Sequence, residues 1–236
     1  MVNQNASFSK FIELKNVLVK SNGRTILNIP DAVIPVDRIT ACVGPNGAGK
    51  TTLLKLLAGL ITPDSGTVIY SFAPAKTALV LHHTPMIKAS ARSNLSMVMD
   101  TDPSITVEQI NAMLQQTDLI RLADNPAHQL SAGEQQKLCL GRAILQKPNV
   151  VLLDEPTANL DPNTTEQVER MICEFTNQGF EVIFSSHQLA QVQRIAQYII
   201  FIDDGEIKEK GPLGPFFSSP KTAAAKRYLH QELSAD

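Results

Sequence analysis

The stretch ITACVGPNGAGKTTLLKLL, residues 39–57, decides the fold of this chain. An apolar, partly β-branched run leads into a glycine-rich segment, and leucines at helical spacing follow it. Residues 44–51 match G-x4-G-K-[ST] in full, between a predicted strand and a predicted helix, as that motif requires. Backbone N–H groups of such a loop, with the N-terminus of the next helix, bind a chain of phosphates. The candidate binding residues are Gly44, Pro45, Asn46, Gly47, Ala48, Gly49, Lys50, Thr51 and Thr52.

Side chains from two segments have distinct predicted roles at this phosphate site. Lys50 would reach the β and γ phosphates, and the Thr51 hydroxyl would bind Mg²⁺. Residues 150–155, VVLLDE, place Asp154 and Glu155 directly after four apolar residues. Such carboxylates lie at the carboxyl end of a buried strand, where α/β proteins bind ligands. We expect Asp154 in the Mg²⁺ shell and Glu155 as the group that polarises a water toward the γ-phosphate.

Short apolar runs alternate with longer helical patterns, which indicates a largely parallel sheet covered by helices. An antiparallel pair, residues 11–19 and 25–34, is predicted around the turn Ser21-Asn22-Gly23. We expect residues 212–225 to form a surface return before a last helix over 222–233. The predicted buried strands are residues 39–43, 150–153, 182–185 and 198–202.

The middle of the chain, from about residue 87 to residue 145, contains few clusters of β-branched residues. Capping pairs predict helix starts there, Thr106 with Gln109 and Ser131 with Glu134. We therefore predict an α/β fold: a P-loop NTPase (RecA-like) core with an N-terminal antiparallel β subdomain and an inserted helical subdomain. The whole chain, 1–236, is expected to be one such domain, with 1–86 and 146–236 as the catalytic core and 87–145 as the helical part.

The composition limits the classes of function. Across 236 residues, 21 Lys and Arg oppose 23 Asp and Glu, so the formal charge is −2. This balance argues against a protein that mainly neutralises nucleic-acid phosphates, and no nucleic-acid partner is expected. Three widely spaced cysteines form no disulfide framework or metal pair, which favours a reducing compartment. No apolar run approaches the roughly 18 residues that span a bilayer, so we expect the protein to be peripheral if it works at a membrane.

The segment LSAGEQQ, residues 130–136, has two readings when taken alone. Ser131 followed by a small, flexible pair and a helix start is a possible second anion site. A capping box of Ser131 with Glu134 explains the same residues without any ligand. The residue pattern alone leaves both readings open.

Four motifs in order give the chain its resemblance to a known family. Residues 11–229 resemble the nucleotide-binding subunit of an ATP-binding cassette (ABC) transporter. LSAGEQQ is similar to that family's LSGGQ signature, with Ala132 in place of its first glycine. EPTANLD, residues 155–161, is similar to the end of Walker B and the D-loop that follows it. His187, after the strand 182–185, matches the switch histidine.

The resemblance implies ATP and Mg²⁺ as ligands and a site shared between two subunits. In such proteins two cassettes pair head to tail, and each ATP lies between one P-loop and the partner's signature. Ser131 and Gly133 would contact the γ-phosphate bound by the partner. His187 would contact the same phosphate and act in catalysis with Glu155 and Lys50, and Asp161 would bridge the subunits.

Two residues depart from the family pattern. Ser21 occupies the position of the aromatic residue that stacks on adenine, which predicts weaker ATP binding because a serine offers no stacking face. His83 stands in the Q-loop position of a glutamine and is a candidate Mg²⁺ ligand. Its coordination would depend on pH near neutrality, because a protonated imidazole cannot bind a cation.

The resemblance leaves three functional classes to compare. A free-standing short cassette is typical of a membrane importer, with a homodimer partner, transmembrane permease subunits, and a solute-binding protein as an indirect partner. It would lie on the cytoplasmic face of the membrane. The tail resembles importer cassettes for polar amino acids, phosphate and oxyanions, and residues 83–95 resemble tungstate-type importer ATPases, so the expected solute is an oxyanion such as tungstate. The alternatives are a soluble ABC ATPase acting on ribosomes or DNA, and a P-loop kinase or transferase.

Overall fold

The computed structural model describes residues 8–72, 76–82 and 85–233. Its strands form a three-stranded sheet and a six-stranded sheet. The strands are β1 (Phe11–Ser21), β2 (Arg24–Pro35), β3 (Thr40–Val43), β4 (Ser65–Tyr70), β5 (Thr77–Val80), β6 (Val150–Asp154), β7 (Glu181–Ser185), β8 (Tyr198–Asp203) and β9 (Glu206–Pro212). The α-helices are α1 (Lys50–Leu57), α2 (Ala91–Ser96), α3 (Val98–Thr101), α4 (Val107–Gln116), α5 (Ala132–Leu145), α6 (Pro162–Asn177), α7 (Leu189–Ile195), α8 (Leu213–Ser218) and α9 (Ala223–Leu233).

The small sheet is antiparallel, with the order β2-β1-β4. Its hairpin turns at Asn22 and Gly23, whose φ angles are +50° and +75°. Two successive positive φ angles match the twist of the flanking strands, which is why Asn-Gly favours such turns. The predicted antiparallel pair is confirmed. Its apolar face shares one core with the leucines of α1 and with one face of the larger sheet.

The large sheet has the order β5-β6-β7-β3-β8-β9, and all of its pairings except β8 with β9 are parallel. The four strands predicted as buried are confirmed, because β3, β6, β7 and β8 are buried almost throughout. Since parallel strands end at the same edge of the sheet, the carboxyl ends of β3, β6 and β7 lie together. That edge positions the candidate site.

Helices α2 to α5 lie between β5 and β6 in the chain and share the core on the other face of the large sheet. Both predicted capping boxes are confirmed, at Thr106 with Gln109 and at Ser131 with Glu134. In each box the hydroxyl accepts from the third residue's N–H while that residue's side chain accepts from the cap, so two otherwise unpaired donors are satisfied.

The expectation for residues 212–225 is wrong in its first half. Helix α8 forms there, and its Phe216 is buried at 2% exposure. The centroid of the Phe216 ring lies 5.9 Å from that of Phe201 on β8. Burial of this aromatic side chain favours a short helix packed on β8 over an exposed loop. The last helix is confirmed as α9, and the Thr222 hydroxyl caps it by accepting from the Ala225 N–H.

Candidate active site

The glycine-rich loop leaves β3 through a backbone that only glycine fits. Gly44 has φ +152°, and a Cβ there would lie 2.0 Å from the carbonyl oxygen of Ile202 on β8. Gly49 has φ +106° at the N-cap of α1, where a Cβ would lie 2.8 Å from Leu27 Cδ2. Side chains at these positions would push the loop off the sheet. The fold thus holds the loop tightly against β8 and the small sheet.

Lys50 lies inside the curve of this loop. Its side chain is 7% exposed, and Nζ donates to the carbonyl oxygens of Gly44 (2.8 Å) and Pro45 (3.1 Å). Among the described residues, no side chain caps the start of α1, so the first-turn N–H groups of this helix remain available to a ligand. One buried cation and a helix N-terminus make the curve of this loop a site for an anion.

Asp154 ends β6 beside the start of α1. The Thr51 hydroxyl donates to its two carboxylate oxygens at 2.8 and 3.1 Å. Ser185, paired with Asp154 in the register of β6 and β7, donates from Oγ to Asp154 Oδ1 at 2.7 Å. The same Oγ accepts from the Glu155 N–H at 3.0 Å. Ser185 was not among the sequence-predicted site residues, although a serine closing a buried strand was the available signal.

Glu155 and His187 are in direct contact. Glu155 Oε2 lies 2.7 Å from His187 Nδ1, so with a proton on Nδ1 the imidazole donates to the carboxylate. Glu155 has φ +50°, an uncommon backbone conformation for a non-glycine residue. Strand β7 lies between β6 and β3 in the sheet, which is why its end delivers the histidine to this position. Residues predicted from three separate motifs therefore meet at one edge of the sheet.

The signature residues belong to a second contact, between the N-termini of α5 and α6. Ser131 caps α5, and the Gly133 backbone packs so closely on Thr164 that a Cβ would lie 2.1 Å from Thr164 Cγ2. Asp161 caps α6 by accepting from the N–H groups of Asn163 and Thr164, both at 3.1 Å. The Thr164 hydroxyl also donates to this carboxylate and lowers the pKa of Asp161.

Within residues 8–72, 76–82 and 85–233, no hydrogen bond joins Ser131, Gly133 or Asp161 to the glycine-rich loop. The structure therefore brings the loop, the carboxylates and His187 together, and it places the signature residues in a separate contact of the same chain.

Two further features border the site. A cavity of about 300 Å³ lies beside Glu155, lined among others by His82, Gln136 and Asn159. A groove of about 630 Å³ is lined by Ser21 of β1 and by Thr52 of α1, among others. The candidate Mg²⁺ ligand His83 lies outside the described residues.

A parallel sheet with a glycine-rich loop after β3, a lysine and a hydroxyl at the start of α1, and a carboxylate pair after β6 defines a P-loop nucleoside triphosphatase. Solved structures agree with this fold. One of them is the ADP conformation of MJ1267, an ATP-binding cassette of an ABC transporter, with a TM-score of 0.79, 19% identity, and coverage of 96% of this chain and 99% of that one. A nucleotide-free ATP-binding cassette from an ABC transporter has a TM-score of 0.77 at 20% identity, with coverage of 94% and 95%.

Sequence comparison identifies the family. The profile of the family described as ABC transporter matches residues 27–158. The tungstate uptake system ATP-binding protein TupC of Peptoclostridium acidaminophilum is 30% identical, over 84% of this chain and 97% of its own. The lantibiotic transport ATP-binding protein SrtF of Streptococcus pyogenes is 30% identical, over 83% and 88%. The phosphonates import ATP-binding protein PhnC 2 of Rhodopseudomonas palustris is 33% identical, over 88% and 81%.

The chain belongs to the ABC transporter family as an ATP-binding subunit. Members of this family are ATPases, and ATP is the nucleotide for which the site is built. The readings as a ribosome- or DNA-directed ATPase and as a P-loop kinase are not favoured by these relatives.

Proposed function

We propose that ATP hydrolysis in this chain is catalysed by Glu155, with His187 holding its carboxylate and Lys50 binding the β and γ phosphates. The observation that carries the proposal is the 2.7 Å contact of His187 Nδ1 with Glu155 Oε2, next to the Asp154 that binds Thr51. A carboxylate held in this way accepts a proton from a water aimed at the γ-phosphate.

The donor set fits Mg²⁺. This ion prefers oxygen ligands and keeps several waters and phosphate oxygens, so one or two protein ligands are enough. The Thr51 hydroxyl and the Asp154 carboxylate supply such oxygens within hydrogen-bond distance of each other. We propose these two as the protein ligands, with His83 as a third candidate. When bound, the ion neutralises charge that develops on the phosphates.

The second part of the proposal is that two copies of this chain complete each site. Ser131 is exposed, and among the described residues its hydroxyl is hydrogen-bonded to the Glu134 N–H, so Ser131 is accessible to a neighbouring molecule, whereas Gly133 is buried against Thr164. In the dimer, Ser131 and Gly133 would contact the γ-phosphate held by the partner's loop. Asp161 would take part by holding Thr164 and the start of α6 beside Gly133.

We further propose that the chain energises a membrane importer. Relatives are named for tungstate uptake and for import of phosphonates, phosphate, L-cystine and nickel. None of the helices in the described parts of the chain meets the length and hydropathy needed to cross a membrane. In this proposal, permease subunits span the membrane, this chain is peripheral on the cytoplasmic face, and a solute-binding protein delivers the solute.

The proposed permease contact is the helical subdomain, residues 87–145, near His83 and residues 86–93. An oxyanion such as tungstate is the proposed solute, because several relatives named above handle oxyanions. Co-purification with the permease, followed by measurement of solute-stimulated ATPase activity, tests this assignment. Stimulation by a chemically different solute class, such as an amino acid, would contradict it.

Substitution of Glu155 by glutamine tests the catalytic role. The amide keeps the size of the carboxylate and removes its basicity, so Glu155→Gln should lose at least about 100-fold in kcat while ATP binding is retained. His187→Ala is the companion variant and should also lose turnover with bound ATP retained. Unchanged kcat in Glu155→Gln would reject Glu155 as the base.

A further inference from the structure

Three buried polar side chains are joined by hydrogen bonds beneath the candidate active site. Ser186 Oγ donates to Gln191 Oε1 at 2.8 Å, and Gln191 Nε2 donates to Thr157 Oγ1 at 2.7 Å. The Gln188 N–H donates to Ser186 Oγ at 3.0 Å. Ser186, Gln191 and Thr157 are 3%, 1% and 2% exposed. One amide therefore uses its acceptor and its donor to join two separate chain segments.

Those segments carry the proposed base and its histidine. Ser186 directly precedes His187, and Thr157 lies two residues after Glu155 in a turn closed by the Ala158 N–H donating to the Glu155 carbonyl at 3.2 Å. The turn begins at a residue with φ +50°. Such a conformation persists only where the surrounding structure holds it, so a buried bond to Thr157 helps to hold this turn.

The direct contact between Glu155 and His187 is too exposed to fix the relative orientation of these two side chains by itself. The two side chains are 20% and 45% exposed, and water and mobile side chains weaken contacts of this kind. The bonds of Gln191 are shielded from water, where hydrogen bonds are stronger and an unmade one is costly. The buried amide is therefore the better candidate for fixing the two segments relative to each other.

Gln191 is not needed to hold α7 on the protein. Arg194 on the same helix binds both carboxylate oxygens of Glu169 on α6, at 2.8 and 2.6 Å. Leu189, Val192 and Ile195 of α7 are also buried. Packing of α7 alone would not require an amide at position 191, and the two groups that this amide does bind, the Ser186 and Thr157 hydroxyls, lie on the segments of His187 and Glu155.

We propose that Gln191 is a positioning residue that, through Ser186 and Thr157, fixes the orientation of His187 toward Glu155. The proposal rests on the catalytic roles assigned above to Glu155 and His187. Loss of the amide would let the imidazole and the carboxylate drift apart, which lowers the rate of the chemical step and leaves nucleotide binding by the P-loop intact.

The test compares Gln191→Met, similar in length but without the amide, with Gln191→Glu. Steady-state ATPase assays should show kcat reduced about tenfold in Gln191→Met, with KM for ATP changed by less than about twofold. Gln191→Glu, as the neutral acid that such a buried position favours, keeps an acceptor oxygen for the Ser186 hydroxyl and an O–H donor for Thr157 Oγ1, and it should recover at least about half of kcat. Equal kcat in Gln191→Met and the unmodified protein would overturn the proposal.

The control for general loosening of α7 is Arg194→Met, which should lower the melting temperature and leave kcat unchanged. In a His187→Ala background, Gln191→Met should reduce the residual kcat by less than about twofold, because the residue it positions is already absent. A further tenfold loss there would show a merely structural effect and overturn the proposal. If Gln191→Met fails to fold, Thr157→Val takes its place in the test, because it removes the hydroxyl that accepts from the Gln191 amide.

Failure of this proposal is distinguishable from failure of the proposed catalytic roles. Full turnover in both Glu155→Gln and His187→Ala would reject both. Loss of turnover in those two variants, with full kcat in Gln191→Met, would reject the positioning role alone.

Discussion

Adding one methyl group at Gly133 tests the packing of the signature segment most sharply. A Cβ at Gly133 would lie 2.1 Å from Thr164 Cγ2 and 3.3 Å from Thr164 Cβ. Carbon atoms in contact prefer about 3.5–4.0 Å, so the two segments must separate by about 1.5 Å or Thr164 must rotate. Rotation is opposed because the Thr164 hydroxyl is bonded to Asp161 and threonine is stiff at χ1.

Overpacking of this kind costs about 1–3 kcal/mol. For a chain of this size, about 2 kcal/mol lowers the melting temperature by about 4–8 °C. Thr164→Ser removes the clashing methyl, keeps the hydroxyl on Asp161, and alone costs about 0.8 kcal/mol. The double variant avoids the clash, so it should be more stable than the sum of the single changes by about 1–2 kcal/mol.

Thermal unfolding of the four proteins, followed by calorimetry or circular dichroism, measures this coupling. Additive losses in the Gly133→Ala and Thr164→Ser double variant, or an unchanged melting temperature in Gly133→Ala, would refute the packing argument. ATPase assays of the same proteins then separate two roles. Because Gly133 is also proposed to contact the partner's nucleotide, stability should recover in the double variant while turnover stays low.

Three other predictions follow from single contacts. Ser21→Tyr supplies a stacking face worth about 1–3 kcal/mol and should tighten ATP binding about tenfold, measured by calorimetric titration; unchanged affinity would contradict the assigned base position. Arg194→Met leaves the carboxylate of Glu169, which is 4% exposed, without its partner, and the free energy of unfolding measured with a denaturant should fall by about 2 kcal/mol. This loss is smaller than for a fully buried ion pair because half of the arginine side chain is exposed. The Thr164 hydroxyl lowers the pKa of Asp161. The difference in unfolding free energy between the unmodified protein and Asp161→Ala should therefore be largest near neutral pH and should disappear as the pH falls through that lowered pKa. A difference that does not depend on pH would contradict this prediction.

The parts of the site encoded by neighbouring residues were predictable. The glycine-rich loop, the carboxylates at the end of β6 and the capping box of Ser131 each depend on contiguous residues and local geometry. The antiparallel hairpin followed from the Asn-Gly turn for the same reason. In each case the backbone conformation is decided within one element.

Contacts between distant segments were beyond sequence reasoning. The bond of Ser185 to Asp154 depends on the register of β6 and β7, and the contact of Gly133 with Thr164 depends on how α5 meets α6. The Gln191 bonds combine a strand end, a helix and a turn. Helix α8 was missed because its only strong signal, the burial of Phe216, exists only once β8 is in place.

We propose above that each active site is shared by two copies of the chain, and mixing two inactive variants tests this directly. Lys50→Ala removes the ammonium that is proposed to bind phosphate, and Ser131→Arg blocks the proposed contact of the signature with the partner's nucleotide; each variant alone should lack ATPase activity. In an equal mixture, half of the dimers carry one variant of each kind, and each of those has one complete site out of two. The mixture should therefore recover about a quarter of the unmodified turnover. Turnover no higher than that of the separate variants would contradict a shared site.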